Sequence, residues 1–204
     1  MKWFSKLVSI LFHPIFLTTF VMAYLLFVST NPILAVPTGK EGQWFLITAY
    51  STLFMPLFVV FLLWKLKFIQ SFEMKTTKER YVPLIACMSF YFWVFWIFHL
   101  NLGASSWIKT WLLASFATMV LTFLITIFNK ISLHVAGITS AFFYALLLNV
   151  STGWKDVVLL LVTIVVLGLV VFSRIDLKAH TRRQLAVGGS LGAVASVVAY
   201  LIFG

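Results

Sequence analysis

Residues 108–128 read IKTWLLASFATMVLTFLITIF and residues 131–150 read ISLHVAGITSAFFYALLLNV, with only Asn129 and Lys130 between them. Each segment is apolar over about the 20 residues that a helix needs to cross the hydrocarbon of a bilayer. Two apolar helices separated by two polar residues predict a tight transmembrane hairpin. This hairpin indicates an all-α membrane protein.

Five further apolar stretches qualify as spans, at residues 7–28, 45–64, 83–100, 157–172 and 185–203. The whole chain is 62% hydrophobic and 10% charged, whereas soluble domains are about half apolar and a quarter charged. We therefore predict a polytopic transmembrane helical bundle of six to seven spans, with residues 1–204 forming a single integral membrane domain. Pro14 and Pro56 should kink their spans, and Gly188, Gly192 and Ser196 should allow close helix packing.

Positive charge is concentrated at one face of this predicted bundle. With seven spans, twelve of the fifteen Lys and Arg residues fall on the face that holds the amino terminus and residues 65–82, 130 and 173–184. Short basic loops favour the cytoplasmic side, and a phosphate site would gather the same cations. The charges flank membrane spans and form no independent basic domain, so nucleic-acid binding is not expected despite the net charge of +10.

Three polar segments end on this basic face, at residues 73–83, 130–134 and 173–184. Together they supply fixed cations and two histidines, His134 and His180, which suit phosphate chemistry: cations bind the oxygens, one histidine attacks, and the other protonates the leaving group. Thr181 and Gln184 have the spacing of a capping box, which predicts that the last helix starts at Thr181.

At these residues the sequence resembles the type 2 phosphatidic acid phosphatases, a family that includes vanadium haloperoxidase-like enzymes. Ser173-Arg174 followed by five residues and His180 resembles the third family motif, and Ser132-x-His134 resembles the core of the second. Lys78-Glu79-Arg80 with Pro83 resembles a loose form of the first. The chain is especially similar to short membrane members of the Bacteroidetes type, which also carry a His-Pro pair in the first span, here His13-Pro14.

The resemblance implies a membrane lipid-phosphate phosphatase that hydrolyses a phosphomonoester or diphosphate of a lipid through a histidine nucleophile. His180 would attack phosphorus and His134 would protonate the leaving alcohol, with no cofactor and no metal. The phosphate-binding residues implied are Arg80, Lys78, Lys75, Ser132 and Arg174. Gln184 would orient His180, although the family usually has Asp there; by analogy with triad carboxylates, losing that charge costs on the order of 10⁴ in rate.

Other functions stay open on the sequence alone. A non-catalytic or weakly active member of the fold could bind or scaffold anionic lipid, which Gln184 favours, and a lipid phosphotransferase is a close variant of the phosphatase. The expected partners are a phosphorylated lipid substrate and membrane lipids. The expected location is a bacterial inner membrane, with the site face cytoplasmic by charge although family members more often act on the outer side. Taken singly, His13 and His99 are interpreted as packing residues.

Overall fold

A computed structural model describes residues 2–70, 78–100 and 102–204, and within these ranges the chain is helical and has no strand. Its α-helices are α1 (Lys2–Leu11), α2 (Pro14–Phe27), α3 (Glu41–Ala49), α4 (Met55–Lys65), α5 (Tyr81–Leu100), α6 (Ser106–Phe128), α7 (Leu133–Thr152), α8 (Val157–Asp176) and α9 (Arg182–Phe203). Helices α3 and α4 form one continuous helix, Glu41–Lys65, and this helix and α5 to α9 are long and apolar enough to cross a membrane. The predicted all-α polytopic bundle is confirmed, and the chain is an integral membrane protein.

The predicted first span, residues 7–28, is a broken helix. Helices α1 and α2 meet at an angle of 58°. Pro14 starts α2, where its missing N–H costs nothing, and the residue before a proline is disfavoured in the α conformation. His13 is accordingly extended, with ψ 136°, and its Nδ1 accepts a hydrogen bond from the Ile15 N–H. With 14 residues, α2 is about 21 Å long and needs α1 to complete a crossing.

Pro56 affects the helix Glu41–Lys65 without breaking it. A π-helical turn, Tyr50–Phe54, lies immediately before Met55 and Pro56. Such single turns inside α-helices accommodate local mismatches in the hydrogen-bond ladder. Thr52, within this turn, lies 3.0 Å from Thr19 between their hydroxyl oxygens, so the π-helical turn packs directly against α2.

Helix α9 packs against α7 along its predicted stripe of small residues. A Cβ atom added to Gly188 would lie 2.8 Å from the carbonyl oxygen of Ser132. About two turns further on, the Ser196 hydroxyl donates to the Ser140 carbonyl at 2.8 Å. Only small residues allow backbones to approach this closely in a membrane. The prediction of close packing is confirmed, and this contact holds the second turn of α9 beside the start of α7.

Gly192 is the tightest point of this contact, and Gly192→Ala should destabilise the bundle. The added Cβ would lie 2.1 Å from the Ala136 carbonyl oxygen and 2.9 Å from the Ser140 nitrogen, both backbone atoms that cannot move alone. We expect a loss of at least about 1–3 kcal/mol, as for overpacked sites, measured as a lower unfolding temperature in detergent. Gly168→Ala is the matched control, since no atom lies within 4 Å of its added Cβ. Equal stability of the two variants would contradict the close contact.

Buried hydrogen bonds at the other end of the bundle anchor the loop after α2. Asp156, which precedes α8 and is buried, accepts hydrogen bonds from Ser29 at 2.5 Å and from the Asn31 side chain at 2.8 Å. Because Ser29 lies just beyond the end of α2 and Asp156 just before α8, the carboxyl end of α2 lies with the amino end of α8. The other end of α2, at Pro14, therefore lies with the carboxyl end of α8, where the polar segments converge.

Candidate active site

A cavity of about 820 Å³ opens among the ends of α1, α5, α7 and α8. Its polar lining is made of cations, histidines and one serine: Lys6, Ser9, His13, Arg80, Lys130, His134, Arg174 and His180. No Asp or Glu of the described ranges lines it. The remaining wall is mainly apolar and continues along α5 to Tyr91 and along α6 to Met119. The cavity is therefore cationic at one end and apolar at depth.

His180 lies in the short connection between α8 and α9. Lys178, in the left-handed conformation with φ 51°, ends α8, and Thr181 caps α9 in the predicted capping box. The side-chain oxygen of Gln184 accepts from the Thr181 N–H at 3.1 Å and lies 3.3 Å from Nδ1 of His180. Since an amide oxygen can only accept, Nδ1 carries the proton and Nε2 keeps a free lone pair. Gln184 thus serves both as helix cap and as partner of the ring.

The surroundings of His180 keep its imidazole neutral. Burial, followed by the positive charge of Lys130, lowers the pKa of His180 from 6.5 to about 4, with smaller contributions from Arg80 and Arg174. The hydrogen bond to Gln184 opposes this shift. At neutral pH the ring is therefore unprotonated at Nε2, which is the state that a nucleophile requires.

His134 is the second residue of α7. Its Nε2 lies 3.0 Å from the backbone carbonyl oxygen of Ser9 in α1. The carbonyl can only accept, so Nε2 carries a proton and Nδ1 is the nitrogen left for other partners. The ring also packs edge-to-face on His13, with ring centroids 5.0 Å apart. Two histidines on the bent first segment and on α7 therefore meet at the cavity wall.

Arg174, in the last turn of α8, is only 9% exposed. Its Nη2 donates to the Ser9 hydroxyl, whereas its buried Nε has no hydrogen-bond partner. No carboxylate in the part of the chain that the structure describes forms an ion pair with it. A buried charge with an unsatisfied donor is costly unless an anion binds it. The neighbouring cations Arg80 and Lys130 add to the positive potential at this point.

Four of the sequence-predicted site residues line this one cavity: Arg80, His134, Arg174 and His180. Ser132 does not; it is fully buried and caps α7, with its hydroxyl accepting the Val135 N–H at 3.4 Å. Lys75 lies outside the described residues, as does the side chain of Lys78. In the described ranges, no group of three His, Cys, Asp or Glu side chains is arranged to hold a metal.

Sequence reasoning missed the contribution of α1. Lys6, Ser9 and His13 all line the cavity. The signal was present, because Ser5, Ser9 and His13 are spaced by four residues, which would place them on one face of an unbroken helix. These residues were not assigned to the site because the segment was interpreted as part of an apolar first span.

The cavity thus combines a neutral histidine with a free Nε2, a second histidine and several cations, and no Asp or Glu of the described residues is part of its lining. Such a set can bind a phosphate group and transfer it through a histidine.

Known proteins provide no family assignment, since no family model, curated protein or solved structure matches the chain.

Proposed function

We propose that the protein is a membrane lipid-phosphate phosphatase that uses His180 as its nucleophile. The observation that carries this proposal is Arg174, a buried guanidinium with an unpaired Nε, in the same cavity wall as a histidine kept neutral at Nε2. Arginine binds phosphate oxygens through several directed N–H groups at once. Arg80, Lys130 and Lys6 add positive charge around the same point.

The shape of the cavity supports a lipid as the carrier of the phosphate. Tyr91 lies ten residues beyond Tyr81, the first residue of α5, which corresponds to a depth of about 15 Å along the helix. Between the cationic end and this depth the wall is lined by side chains such as Leu84 and Met119. A phosphate headgroup at the basic end and an alkyl chain against the apolar wall would both be satisfied.

The reaction follows from the free nitrogens of the two histidines. The Nε2 lone pair of His180 attacks phosphorus, an N–P bond forms, and the P–O bond to the lipid alcohol breaks. The departing oxygen takes a proton from Nδ1 of His134, which the negative charge of the bound phosphate keeps protonated in the complex. Water then attacks the phosphohistidine with His134 as base, the N–P bond breaks, and inorganic phosphate leaves. Arg174 and Arg80 hold the phosphoryl oxygens while negative charge shifts towards the leaving oxygen.

Phosphate release from a lipid panel tests this proposal. Purified protein in mixed micelles is given phosphatidic acid, phosphatidylglycerol phosphate and a polyprenyl diphosphate, with a water-soluble phosphate monoester as the matched control without an alkyl chain. We expect release from at least one lipid and a much lower kcat/KM for the soluble ester. Equal turnover of all four compounds would show that the apolar wall does not bind the alkyl chain of the substrate.

Gln184 favours a second candidate function, a non-catalytic protein that binds anionic lipid. An amide next to His180 fixes the tautomer but contributes no negative charge to stabilise a phosphohistidine cation. Binding of the same lipids without phosphate release would support that function. A phosphotransferase is the remaining variant, recognised by transfer of the phosphoryl group to an added alcohol.

Gln184→Glu should raise the phosphatase activity at neutral pH. Glu preserves the capping box and puts a carboxylate beside Nδ1 of His180, which raises the pKa of that histidine and stabilises its positive phosphorylated form. Since the wild-type pKa is about 4, activity in the wild type should fall only as the pH approaches 4, and in the variant this acid limb should move to higher pH. We expect a gain of about tenfold or more in kcat.

Thr181→Ala weakens the cap of α9 without touching the contact between Gln184 and His180. The substitution removes the hydroxyl that accepts a hydrogen bond from the backbone N–H of Gln184. It leaves the contact between the Gln184 side chain and His180 in place. We expect a loss of about 1 kcal/mol of stability with an unchanged pH profile. An unshifted acid limb in Gln184→Glu would contradict the proposed contact with the nucleophile.

We also place the chain in a bacterial inner membrane with the cavity end facing the cytoplasm, because basic loops favour that side. Single cysteines at the exposed positions Lys178 and Lys155, introduced into a Cys87→Ala background, report the two ends of the bundle. An impermeant thiol reagent applied to intact cells should label position 155 and reach position 178 only after lysis. The reverse pattern would place the site on the outer face.

A further inference from the structure

Ser9 is the one residue of α1 that is bonded to two residues of the proposed site. Its backbone carbonyl oxygen lies 3.0 Å from Nε2 of His134, and its hydroxyl oxygen accepts from Nη2 of Arg174. Helices α1, α7 and α8 therefore meet at this serine. Neither the sequence motifs nor the resemblance drawn from them include it.

The hydroxyl of Ser9 is set up as an acceptor for Arg174. Its own hydrogen is donated to the Ser5 carbonyl at 2.7 Å, which leaves its lone pairs for other groups. The Ser173 hydroxyl lies 2.7 Å from it and can donate its one hydrogen either to Ser9 or to the same Ser5 carbonyl, which is 2.6 Å away. Ser9 is thus fixed by its own helix and by α8 before it contacts the guanidinium.

We propose that Ser9 is the positioning residue of the site, which rests on the phosphatase function proposed above. The carbonyl holds the Nε2–H tautomer of His134, so Nδ1 is the nitrogen that exchanges a proton with the leaving group. The hydroxyl occupies Nη2 of Arg174, so the unpaired Nε and the other N–H groups remain for phosphate oxygens. Ser9 itself contacts no reacting atom.

The geometry of α1 explains why this role falls to a residue outside the family-like motifs. The bend at Pro14 turns α1 away from α2 by 58°, and α1 packs its serine face on α8. Ser5 donates to Asp176 at 2.6 Å one turn before Ser9. The opposite face of α1 is apolar and exposed, with Leu7 and Leu11 on it. The helix is held against the site by its polar face.

Ser9→Ala, Ser9→Thr and Ser5→Ala test the hydroxyl contact in the full-length protein. Ser9→Ala should lower kcat/KM for the lipid phosphate about tenfold to a hundredfold, the effect of losing one hydrogen bond to a charged group, and should weaken inhibition by orthovanadate by a similar factor. Ser9→Thr restores the hydroxyl and should recover most of both. Ser5→Ala is the matched control: it removes a bond from the same face of α1, outside the cavity, and should change kcat/KM less than about twofold.

Unfolding temperatures in detergent separate positioning from stability. If Ser9→Ala and Ser5→Ala lose activity in proportion to their loss of unfolding temperature, or if Ser9→Thr fails to recover activity, the inference is overturned. A drop in orthovanadate inhibition that is specific to Ser9→Ala supports it.

The tautomer of His134 can be measured directly, without any enzymatic turnover. Long-range nitrogen–proton spectra of protein labelled with [¹⁵N]histidine, assigned with His134→Gln, should show the proton of the neutral ring on Nε2. A proton on Nδ1 would overturn the role of the Ser9 carbonyl. The absence of phosphate release with this tautomer present would count against the phosphatase function and leave the positioning by Ser9 intact.

Discussion

His180→Ala is expected to abolish phosphate release, lowering kcat/KM by about 10⁴-fold or more. The proposed intermediate is a bond between phosphorus and Nε2 of this histidine, and alanine offers no atom that could form it. The other two histidines of the cavity are engaged in other ways: His134 is needed as the acid and base, with its Nε2 bound to the Ser9 carbonyl at 3.0 Å, and Nδ1 of His13 accepts from the Ile15 N–H. The measurement is initial-rate phosphate release from the best lipid of the panel.

His99→Ala is the matched control for this variant. His99 lies in the last turn of α5, at the far end of the bundle, stacked on Phe95 with ring centroids 5.6 Å apart. Its removal should cost stability and leave kcat/KM nearly unchanged. Activity retained in His180→Ala at more than a few per cent of wild type would exclude His180 as the nucleophile.

Arg174→Met is expected to lower kcat/KM by about 10²–10⁴-fold while leaving the protein as stable as the wild type or more so. Two charge-assisted hydrogen bonds to phosphate, each contributing about 1.5–3 kcal/mol, account for the loss of activity. Methionine fills most of the same volume, and it removes a buried charge that pairs with no carboxylate of the described residues. Replacing such groups by apolar side chains is often neutral or stabilising.

A large loss of kcat/KM without a loss of stability distinguishes Arg174 from a structural arginine. Arg183→Met provides the comparison, since Arg183 is exposed on the first turn of α9 and should change neither quantity by much. If Arg174→Met unfolds at a clearly lower temperature and binds orthovanadate as well as the wild type, Arg174 holds the bundle together and does not bind phosphate.

The sequence predicted those parts of the fold that depend on local pattern. Long apolar segments gave the transmembrane helices, the glycine and serine stripe gave the contact between α9 and α7, and Thr181 with Gln184 gave the start of α9. These features follow from hydropathy, residue size and capping. The carboxyl end of α8 was placed too early, at residue 172, because Ser173 and Arg174 are polar yet remain helical to Asp176. Their partners lie on α1, which the sequence does not place beside α8.

The histidines and arginines of the candidate site could be predicted from the sequence, but the residues that surround and position them could not. Ser132 was expected to bind phosphate, yet it is buried as the cap of α7; two residues apart on the chain, Ser132 and His134 point differently once the helix starts between them. Ser9 and His13 enter the cavity only because the chain bends at Pro14. A bend of this kind sets long-range contacts that spacing along the sequence does not reveal.

The most direct measurement of the proposed function is to trap the phosphorylated enzyme. The purified protein is mixed briefly with lipid carrying a ³²P-labelled phosphate, quenched in detergent at alkaline pH, where phosphohistidine survives, and digested for peptide mapping. We expect label on His180 in the wild type, more of it in Gln184→Glu, and none in His180→Ala. Phosphate release without a labelled protein intermediate, or label on a residue other than His180, would contradict catalysis by a histidine nucleophile in this cavity.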